Sequence, residues 1–472
     1  MIVFSHEIYL SLTTLALFCL TLVNYGRGTP RRIALLLSLG AIISAAFAFG
    51  SHGDLFSATY RIDAFSQSFK MMIALGFFLA VAFGEGLRGI DGENEAEYYM
   101  FLSMSVLGLT FLTSAVDLLT LYISLELSSY SLYILVPLRR KEYTNQVEAA
   151  IKYVLFGAAA SGISLFGMSY VFGLAHTTRV DALLKIYPSI CATPMGMVAL
   201  AMLFAGFFFK LAMFPFHLWT PDIYEGAANE TSGVIATLPK IGAVAILIRL
   251  SGLGVSVGAF GGLLAVLAIL SMTYGNLAAL VQNDVKRLLA FSSISHAGYM
   301  MTGILTGTVN GYAGAMYYVG GYLLMNLAIF HVIYALAPNG ENISVANLKG
   351  LHRRAPLLAF TLAVGAFGLA GIPPTAGFAG KFFVLMAAFQ KGYTWLVILA
   401  AINTAISVFY YLKLVRAAYS PEEGAPPLQN DAVESSFTAR SLGVCFSLAI
   451  LLLGSFPGQF IDLFSLALGW VG

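Results

Sequence analysis

Apolar runs of about twenty residues recur along the whole chain, and they limit the possible folds more than any other feature. A helix needs about 20 apolar residues to cross a bilayer, where every backbone polar group must be paired internally. Only 10% of the 472 residues are charged, against about 25% in an ordinary soluble domain. These features predict an all-α integral membrane protein and exclude a soluble enzyme or a nucleic-acid-binding protein.

The apolar runs divide the chain into 14 predicted transmembrane helices. A connection of about ten residues between runs of about twenty accounts for nearly the whole length. The predicted segments are 3–24, 32–50, 64–83, 98–116, 118–138, 150–174, 195–216, 231–250, 257–281, 287–307, 312–337, 356–389, 393–418 and 438–466.

The distribution of basic residues predicts the orientation, because cytoplasmic loops carry an excess of Lys and Arg. One set of alternating loops holds Arg27, Arg31, Arg32, Arg88, Arg139, Arg140, Lys141, Lys286, Arg287, Lys349, Arg353 and Arg354, with Arg416 and Arg440 near the last loop. The opposite set holds Arg61, Lys70, Arg179, Lys185, Arg249 and Lys391. We therefore expect a multi-pass protein of the bacterial inner (plasma) membrane with both termini on the periplasmic side.

Prolines interrupt two of the predicted helices, the seventh and the twelfth. Pro215 lies within 209–222, and Pro373 and Pro374 lie within 371–381. Proline removes a backbone donor and clashes one turn back, so both helices should be broken. Broken helices at corresponding places in two halves are typical of inverted-repeat transporters.

Spacings between polar residues also suggest two related halves. Lys210 to Lys381 is 171 residues, Glu126 to His296 is 170, and Lys240 to Lys413 is 173. Five helices separate the members of each pair, so two five-helix repeats would have opposite orientations in the membrane. The predicted units are an N-terminal three-helix segment (1–97), a first repeat (98–250), a second, inverted repeat (257–419) and a C-terminal helix (438–472).

Four charged residues lie deep within apolar segments: Glu126, Lys210, Lys240 and Lys381. A charge at the bilayer centre costs about 2.5–3.5 kcal/mol on insertion scales, which favours a functional role. A buried lysine loses its proton more easily than an exposed one, and a nearby carboxylate opposes that loss. We therefore predict a proton relay with Glu126 and Lys210 as an interacting pair. The alternative, snorkelling or structural pairing, is favoured for Lys152 and Lys413 near helix ends.

Two histidines are further candidates, because histidine passes protons near neutral pH. His217 follows the Pro215 break, and His296 lies in an apolar segment; His176 and His331 are interpreted as structural. The sequence contains no recognisable motif for a cofactor or metal, so any redox chemistry is expected in another chain.

Six segments resemble the antiporter-like subunits of respiratory complex I. They are 118–138 around Glu126, EAAIKY at 148–153, FKLAMFPFHLWTPD at 209–222, LPK at 238–240, DVKRLLAFSSISH at 284–296 and GIPPTAGFAGKF at 371–382. The PFHLWTPD form resembles the subunit N type, to which mitochondrial subunit 2 belongs. One departure is Glu230, in a stretch that is usually uncharged in the family, where it could bias the charge of Lys240.

The resemblance implies a proton-translocating membrane subunit of NADH:quinone oxidoreductase. It implies that Glu126 and Lys210 form the input pair with Lys152 as a modulator, that Lys240 connects to His296, and that Lys381 lies near the exit. FMN, iron–sulfur clusters, NADH and quinone would belong to partner subunits, and the direct partners would be other membrane subunits and the lipid bilayer.

Alternative functions remain open at this point. They are a cation/proton antiporter subunit of the Mrp class, the equivalent subunit of a complex that uses F420H2 or ferredoxin, and a purely structural membrane subunit. The retained lysines argue against the last of these.

Overall fold

A computed structural model describes residues 2–26, 28–83, 86–251, 258–421 and 437–469. The described chain is almost entirely helical, as predicted. Its α-helices are α1 (Ser5–Thr21), α2 (Thr29–Ala48), α3 (Ala64–Ala82), α4 (Glu95–Ser114), α5 (Leu118–Leu135), α6 (Asn145–Ala175), α7 (Val180–Cys191), α8 (Pro194–Leu211), α9 (Thr220–Gly226), α10 (Asn229–Ser251), α11 (Gly258–Leu280), α12 (Val285–Ile304), α13 (Val309–Leu336), α14 (Leu351–Arg354), α15 (Pro356–Ala370), α16 (Ala376–Gln390), α17 (Thr394–Tyr419), α18 (Phe437–Ser455) and α19 (Pro457–Ala467).

The helices identify a multi-pass membrane protein. In the described residues, ten helices are long and apolar enough to cross a bilayer: α2, α3, α5, α6, α8, α10, α11, α13, α17 and α18. α15 and α16 are apolar but shorter. Outer helices expose large apolar side chains, such as Phe47 at 73% and Phe409 at 70%, as expected of a surface that faces lipid.

Two helices form the centre of the bundle. Every residue of α10 is buried, and α13 is buried along nearly its whole length. α10 packs against α3, α4, α8 and α13, so its single lysine, Lys240, has no route to the lipid surface. The helical bundle therefore encloses Lys240, which lies in an apolar segment of the sequence.

Both predicted helix breaks are present. α8 ends at Leu211, where Ala212 adopts a left-handed conformation with φ of 62°, and the chain becomes helical again at Thr220. α15 ends at Ala370, where Gly371 has φ of 87°, and α16 begins at Ala376. Each break holds a cis peptide bond, before Pro215 and before Pro374. Because α8 and α15 end at these breaks, their last carbonyls have no partner within their own helices.

The same pair of backbone hydrogen bonds occurs twice, at positions about 165 residues apart. Each pair joins the residues around the start of one helix, α5 or α12, to the chain after the next helix. The bonds run from Leu118 N to Thr178 O (2.9 Å), Val180 N to Val116 O (3.0 Å), Val285 N to Ile343 O (2.9 Å) and Val345 N to Asn283 O (2.8 Å).

Lys210 and Lys381 do not occupy equivalent places relative to these repeated features. Lys210 lies just before the first break, at the end of α8, whereas Lys381 lies after the second break, within α16. The 171 residues between Lys210 and Lys381 also exceed the roughly 165 residues that separate the repeated hydrogen bonds.

Three local elements differ from the predictions. A small antiparallel hairpin pairs Gly53–Leu55 with Tyr60–Ile62, so the chain is not wholly α-helical. α7 lies in a stretch predicted to be a loop. The predicted final helix, 438–466, is two helices, because Phe456 leaves the helical conformation immediately before Pro457.

Lys70 was counted with the residues of the outer loops, and that assignment is wrong. It lies inside α3 with 0% of its side chain exposed, and its Nζ is 2.5 Å from Oε1 of Glu7 on α1. The hydroxyl of Tyr60 donates to the same oxygen at 2.7 Å. Arg249, also assigned to that side, is buried in the last turn of α10 and binds Asp63. Both residues therefore lie in helices and not in loops.

We expect Lys70→Met to lower the free energy of unfolding by about 3–5 kcal/mol, because it leaves the Glu7 carboxylate buried without a cation. A Glu7→Gln/Lys70→Met double variant should recover most of that loss, since glutamine still accepts the Tyr60 hydrogen bond. Thermal unfolding in detergent measures both effects. The exposed Lys391→Met is the control, and equal midpoints for Lys70→Met and Lys391→Met would contradict the expectation.

Candidate functional site

Five of the predicted site residues lie buried inside the helical bundle, and we refer to them as the polar axis. They belong to five different helices. They are Glu126 of α5, Lys210 of α8, Lys240 of α10, His296 of α12 and Lys381 of α16, with exposed fractions of 7%, 5%, 1%, 2% and 4%.

Lys210 is held by α5, the helix that carries Glu126, but not through the expected ion pair. Its Nζ donates to the Ser129 hydroxyl at 3.1 Å and to the Leu125 carbonyl at 3.4 Å. None of the ion pairs in the described part of the chain joins Lys210 to Glu126. Oε1 of Glu126 is buried without a hydrogen-bond partner. Glu126 on α5 and Lys210 on α8 are therefore neighbours that do not form a closed ion pair.

Lys240 binds the broken end of α8. Its Nζ donates to the carbonyl of Leu211, the last residue of that helix, at 2.7 Å. A second, longer bond of 3.4 Å goes to the carbonyl of Ser293 on α12. Lys240 thereby connects the first helix break to the helix that carries His296.

Lys381 binds the broken end of the other helix. Its Nζ donates to the carbonyls of Leu369 and Ala370, both at 3.0 Å, at the end of α15. Gly371 makes this approach possible: it adopts a positive φ, and a Cβ there would lie 3.0 Å from Cδ of Lys381. The ring of Tyr299 lies 4.8 Å from the same ammonium group.

Lys240 and Lys381 thus share one mode of binding. Each places its ammonium group at the carboxyl end of the first half of a broken helix, where unpaired carbonyls carry partial negative charge. Proline and the left-handed residue at each break keep those carbonyls from being paired by a continuing helix. The breaks therefore supply the oxygen atoms that a buried cation requires.

His296 is held between two tyrosines. Its Nδ1 is 2.6 Å from the hydroxyl of Tyr318 on α13, and its Nε2 is 3.0 Å from the hydroxyl of Tyr411 on α17. Tyr411 also makes a short hydrogen bond with Ser292. The ring of Tyr322 lies 5.1 Å from the imidazole and 5.8 Å from the Lys240 ammonium group. Aromatic residues thus fill the space between Lys240, His296 and Lys381.

His217 lies beside the first break but outside these contacts. Its ring is 3% exposed and packs between Phe214 and Tyr274, with centroid distances of 5.2 and 4.6 Å. Neither ring nitrogen has a hydrogen-bond partner in the described structure. Among the described residues, no hydrogen bond or ion pair links His217 to the polar axis, so its relay role stays a prediction.

Lys152 forms a separate network at one end of the bundle. Its Nζ lies 2.6 Å from Glu148 and 2.6 Å from Asp222 of α9, and 35% of its side chain is exposed. Asp222 also binds Arg287 of α12 at 3.0 Å, and Arg287 binds Glu225 at 2.5 Å. Sequence reasoning missed Asp222, Glu225 and Arg287 as partners because it treated them as loop residues.

Glu230 binds backbone groups away from Lys240. Its Oε1 accepts hydrogen bonds from the backbone N–H groups of Arg88 and Gly89, at 2.6 and 3.2 Å. The ten residues that separate Glu230 from Lys240 correspond to about 15 Å of helix. Glu230 therefore fixes the connection between α3 and α4 to the start of α10.

The tyrosines around His296 were also missed. Tyr299, Tyr318, Tyr322 and Tyr411 come from three helices and are separated by up to 112 positions, so no local spacing unites them. Their shared signal is a hydroxyl inside an apolar segment, which usually requires a buried hydrogen-bond partner. Within the described residues, no three His, Cys, Asp or Glu side chains come together as metal ligands.

Comparisons with known proteins decide the family. A model of the family described as "NADH:quinone oxidoreductase/Mrp antiporter, TM" matches residues 115–407. A Solidesulfovibrio magneticus protein named NADH-quinone oxidoreductase subunit N 2 is 46% identical over 98% of this chain and 97% of its own length. An Opitutus terrae protein of the same name is 45% identical over 97% and 96%. The chain belongs to the NADH-quinone oxidoreductase subunit N family.

Solved structures agree with this assignment. A chain of respiratory complex I from Thermus thermophilus, solved with bound aureothin, has a TM-score of 0.81 and 31% identity, covering 97% of this chain and 98% of its own. A chain of the Mrp complex from Dietzia has a TM-score of 0.83 at 17% identity, over 98% and 96%, which shows a shared fold. The resemblance inferred from six sequence segments is confirmed, and the polar axis lies in a subunit N fold.

We expect Tyr411→Phe to lower the thermal unfolding midpoint of this subunit N, because it removes the hydroxyl that partners Nε2 of His296 and Ser292. Leaving a buried polar group unpaired costs about 1–3 kcal/mol. Tyr419→Phe is the matched control, since Tyr419 lies on the same helix, is 47% exposed and stacks on His352. A Tyr411→Phe midpoint equal to that of the control would show that the hydroxyl is not part of the His296 site.

Proposed function

We propose that this chain conducts protons across the membrane along the polar axis, as part of a proton-translocating NADH:quinone oxidoreductase. Glu126 and Lys210 are the entry pair, Lys240 and His296 pass the proton between the halves of the bundle, and Lys381 is the last station. Redox reactions elsewhere in the complex supply the energy. Lys152 modulates the entry pair through the network it forms with Asp222.

The observation that carries this proposal is the set of partners of Lys210, Lys240 and Lys381. All three are at least 95% buried, yet their Nζ atoms bind carbonyl and hydroxyl oxygens rather than carboxylates. A purely structural cation is expected to be buried in a closed ion pair, as Lys70 is. A lysine without a carboxylate in contact is suited to gain and lose a proton.

We also propose that the chain crosses the membrane 14 times and contains two inverted five-helix repeats, with the boundaries 98–250 and 257–419. The repeated hydrogen-bond pairs support this. Arg139, beyond the carboxyl end of α5, donates to the carbonyl of Gly340 and to Asn342, next to the second pair. The first pair lies at the other, amino end of α5. The same pattern thus stands at opposite ends of the bundle, which is the expectation for inverted units.

The residues outside the repeats form the N-terminal segment 1–97 and the C-terminal segment 438–472. We propose that both termini lie on the periplasmic side of a bacterial inner membrane. The end of the bundle that carries Arg139, Arg140 and Arg287 is then cytoplasmic. Arg139 donates to the carbonyls of Glu225 and Gly226, and Arg287 binds the carboxylate of Glu225, so both arginines lie beside the start of α10, which supports one basic face.

The partners proposed for this chain are the other membrane subunits of complex I and the surrounding lipid. FMN, iron–sulfur clusters, NADH and quinone belong to other subunits of the complex. The names of the relatives, at 45–46% identity, favour NADH as the electron donor over F420H2 or ferredoxin. The same names favour a subunit of NADH:quinone oxidoreductase over an Mrp antiporter, because the Mrp chain, at 17% identity, is similar in fold alone.

Replacing Lys240 by methionine tests the proposal, because methionine has a similar length but cannot carry a proton. The variant is assembled in the complete complex, and NADH oxidation and NADH-driven proton uptake are measured in inverted membrane vesicles. We expect proton uptake to fall at least about tenfold, which corresponds to about 1.4 kcal/mol on the limiting step.

Lys413→Met is the matched control. Lys413 lies on α17, is partly exposed and binds Gln282 and Asn283 near the surface, so we expect normal proton uptake. Equal proton uptake per NADH in both variants would remove Lys240 from the pathway. If the purified chain exchanges sodium for protons and no NADH- or quinone-reactive subunits co-purify with it, the result would instead support the Mrp alternative.

A further inference from the structure

One ion-pair network joins the two halves of the molecule at a single carboxylate, that of Asp222. Its Oδ2 lies 2.6 Å from Lys152 of α6, and its Oδ1 lies 3.0 Å from Arg287 of α12. The three side chains are 33%, 35% and 30% exposed, so the network lies at the surface of the bundle rather than on the polar axis. Within the described residues no ion pair or hydrogen bond joins Lys152 to Arg287 directly, and Asp222 is the carboxylate that both of them bind.

Asp222 belongs to α9, a helix of only seven residues that is tied to the first helix break. Trp219, the residue before α9, donates from Nε1 to the carbonyl of Phe209 at 3.1 Å. Its ring stacks on Tyr153 at 4.9 Å and 22°. Phe209 precedes Lys210, and Tyr153 follows Lys152. Through Trp219, the position of α9 therefore fixes the backbone that carries Lys210.

The other side of α9 is tied to the second half of the axis. The hydroxyl of Tyr224 is 3.1 Å from the hydroxyl of Ser293 on α12. The carbonyl of Ser293 is the second partner of Lys240. A seven-residue helix spans only about 10 Å, so Trp219, Asp222 and Tyr224 lie close together in one short segment.

We propose that Asp222 is a positioning residue for proton transfer: by binding Lys152 and Arg287 at once, it sets the position of α9 and thereby the relative placement of Lys210 and Lys240. This inference rests on the proposed function. Asp222 itself touches none of the axis residues, so it acts through Trp219 and Tyr224. Partly exposed ion pairs contribute little to stability, so a loss of charge at Asp222 should alter coupling more than folding.

The test compares Asp222→Asn, Asp222→Glu and the control Asp181→Asn in the complete complex. Asp181 is also a half-exposed aspartate bound to an arginine, but its partner, Arg179, is two positions away on the same segment. In inverted vesicles we measure proton uptake per NADH oxidised, together with the amount of assembled complex. We expect Asp222→Asn to lower the ratio at least twofold, Asp222→Glu to restore it, and Asp181→Asn to leave it unchanged.

A double variant identifies the route of the effect. Trp219→Phe keeps an aromatic ring against Tyr153 but removes the hydrogen bond to the Phe209 carbonyl. If Asp222 acts through Trp219, the single variant Trp219→Phe lowers proton uptake per NADH. Combining it with Asp222→Asn then gives little further loss. Full additivity of the two losses would overturn the proposed route through Trp219.

Three results would overturn the positioning role. They are an unchanged ratio in Asp222→Asn, an equal fall in Asp181→Asn, and a fall in the amount of complex with a normal ratio, which is the result for a merely structural residue. Lys240→Met separates this inference from the proposed function. If Lys240→Met loses proton uptake while Asp222→Asn retains it, only the positioning role fails; if Lys240→Met pumps normally, the proposed function fails.

Discussion

The requirement that a buried ammonium group find oxygen atoms governs the structure around the polar axis. A charge placed in an apolar interior without such partners costs several kcal/mol. For Lys240 and Lys381 the oxygens come from backbone carbonyls, because α8 and α15 stop inside the bundle. Lys240 and Lys381 occupy those two ends. The helix breaks and the lysines therefore depend on each other: the breaks expose partial negative charge, and the lysines neutralise it.

Much of this arrangement could be predicted from sequence, because its signals are local. Prolines inside apolar runs locate the breaks, and lysines inside apolar runs locate the buried cations. Both are visible within windows of about twenty residues, the length of a membrane helix. The buried positions of Glu126, Lys210, Lys240, His296 and Lys381 follow from the same reasoning.

The partners of those residues could not be predicted, because they depend on which helices pack together. Tyr318 and Tyr411 meet His296 from α13 and α17, and nothing in their local sequence distinguishes them from other tyrosines. Lys70 was misassigned for the same reason: it stands close to a helix start, and only the packing of α1 against that region supplies Glu7. The Lys210–Glu126 pair shows the converse, since two charges that share a neighbourhood need not be in contact.

The carbonyl contacts of Lys381 lower the structural change needed to protonate and deprotonate its side chain. A neutral amine keeps two N–H groups, and a carbonyl accepts a hydrogen bond from an amine as well as from an ammonium ion. The two bonds at the end of α15 can therefore persist in both charge states, whereas a closed ion pair would lose most of its attraction. The oxygens are fixed by the fold before the proton arrives, so little reorganisation accompanies the change of charge. Lys381 can therefore gain and lose a proton many times with almost no movement of the backbone.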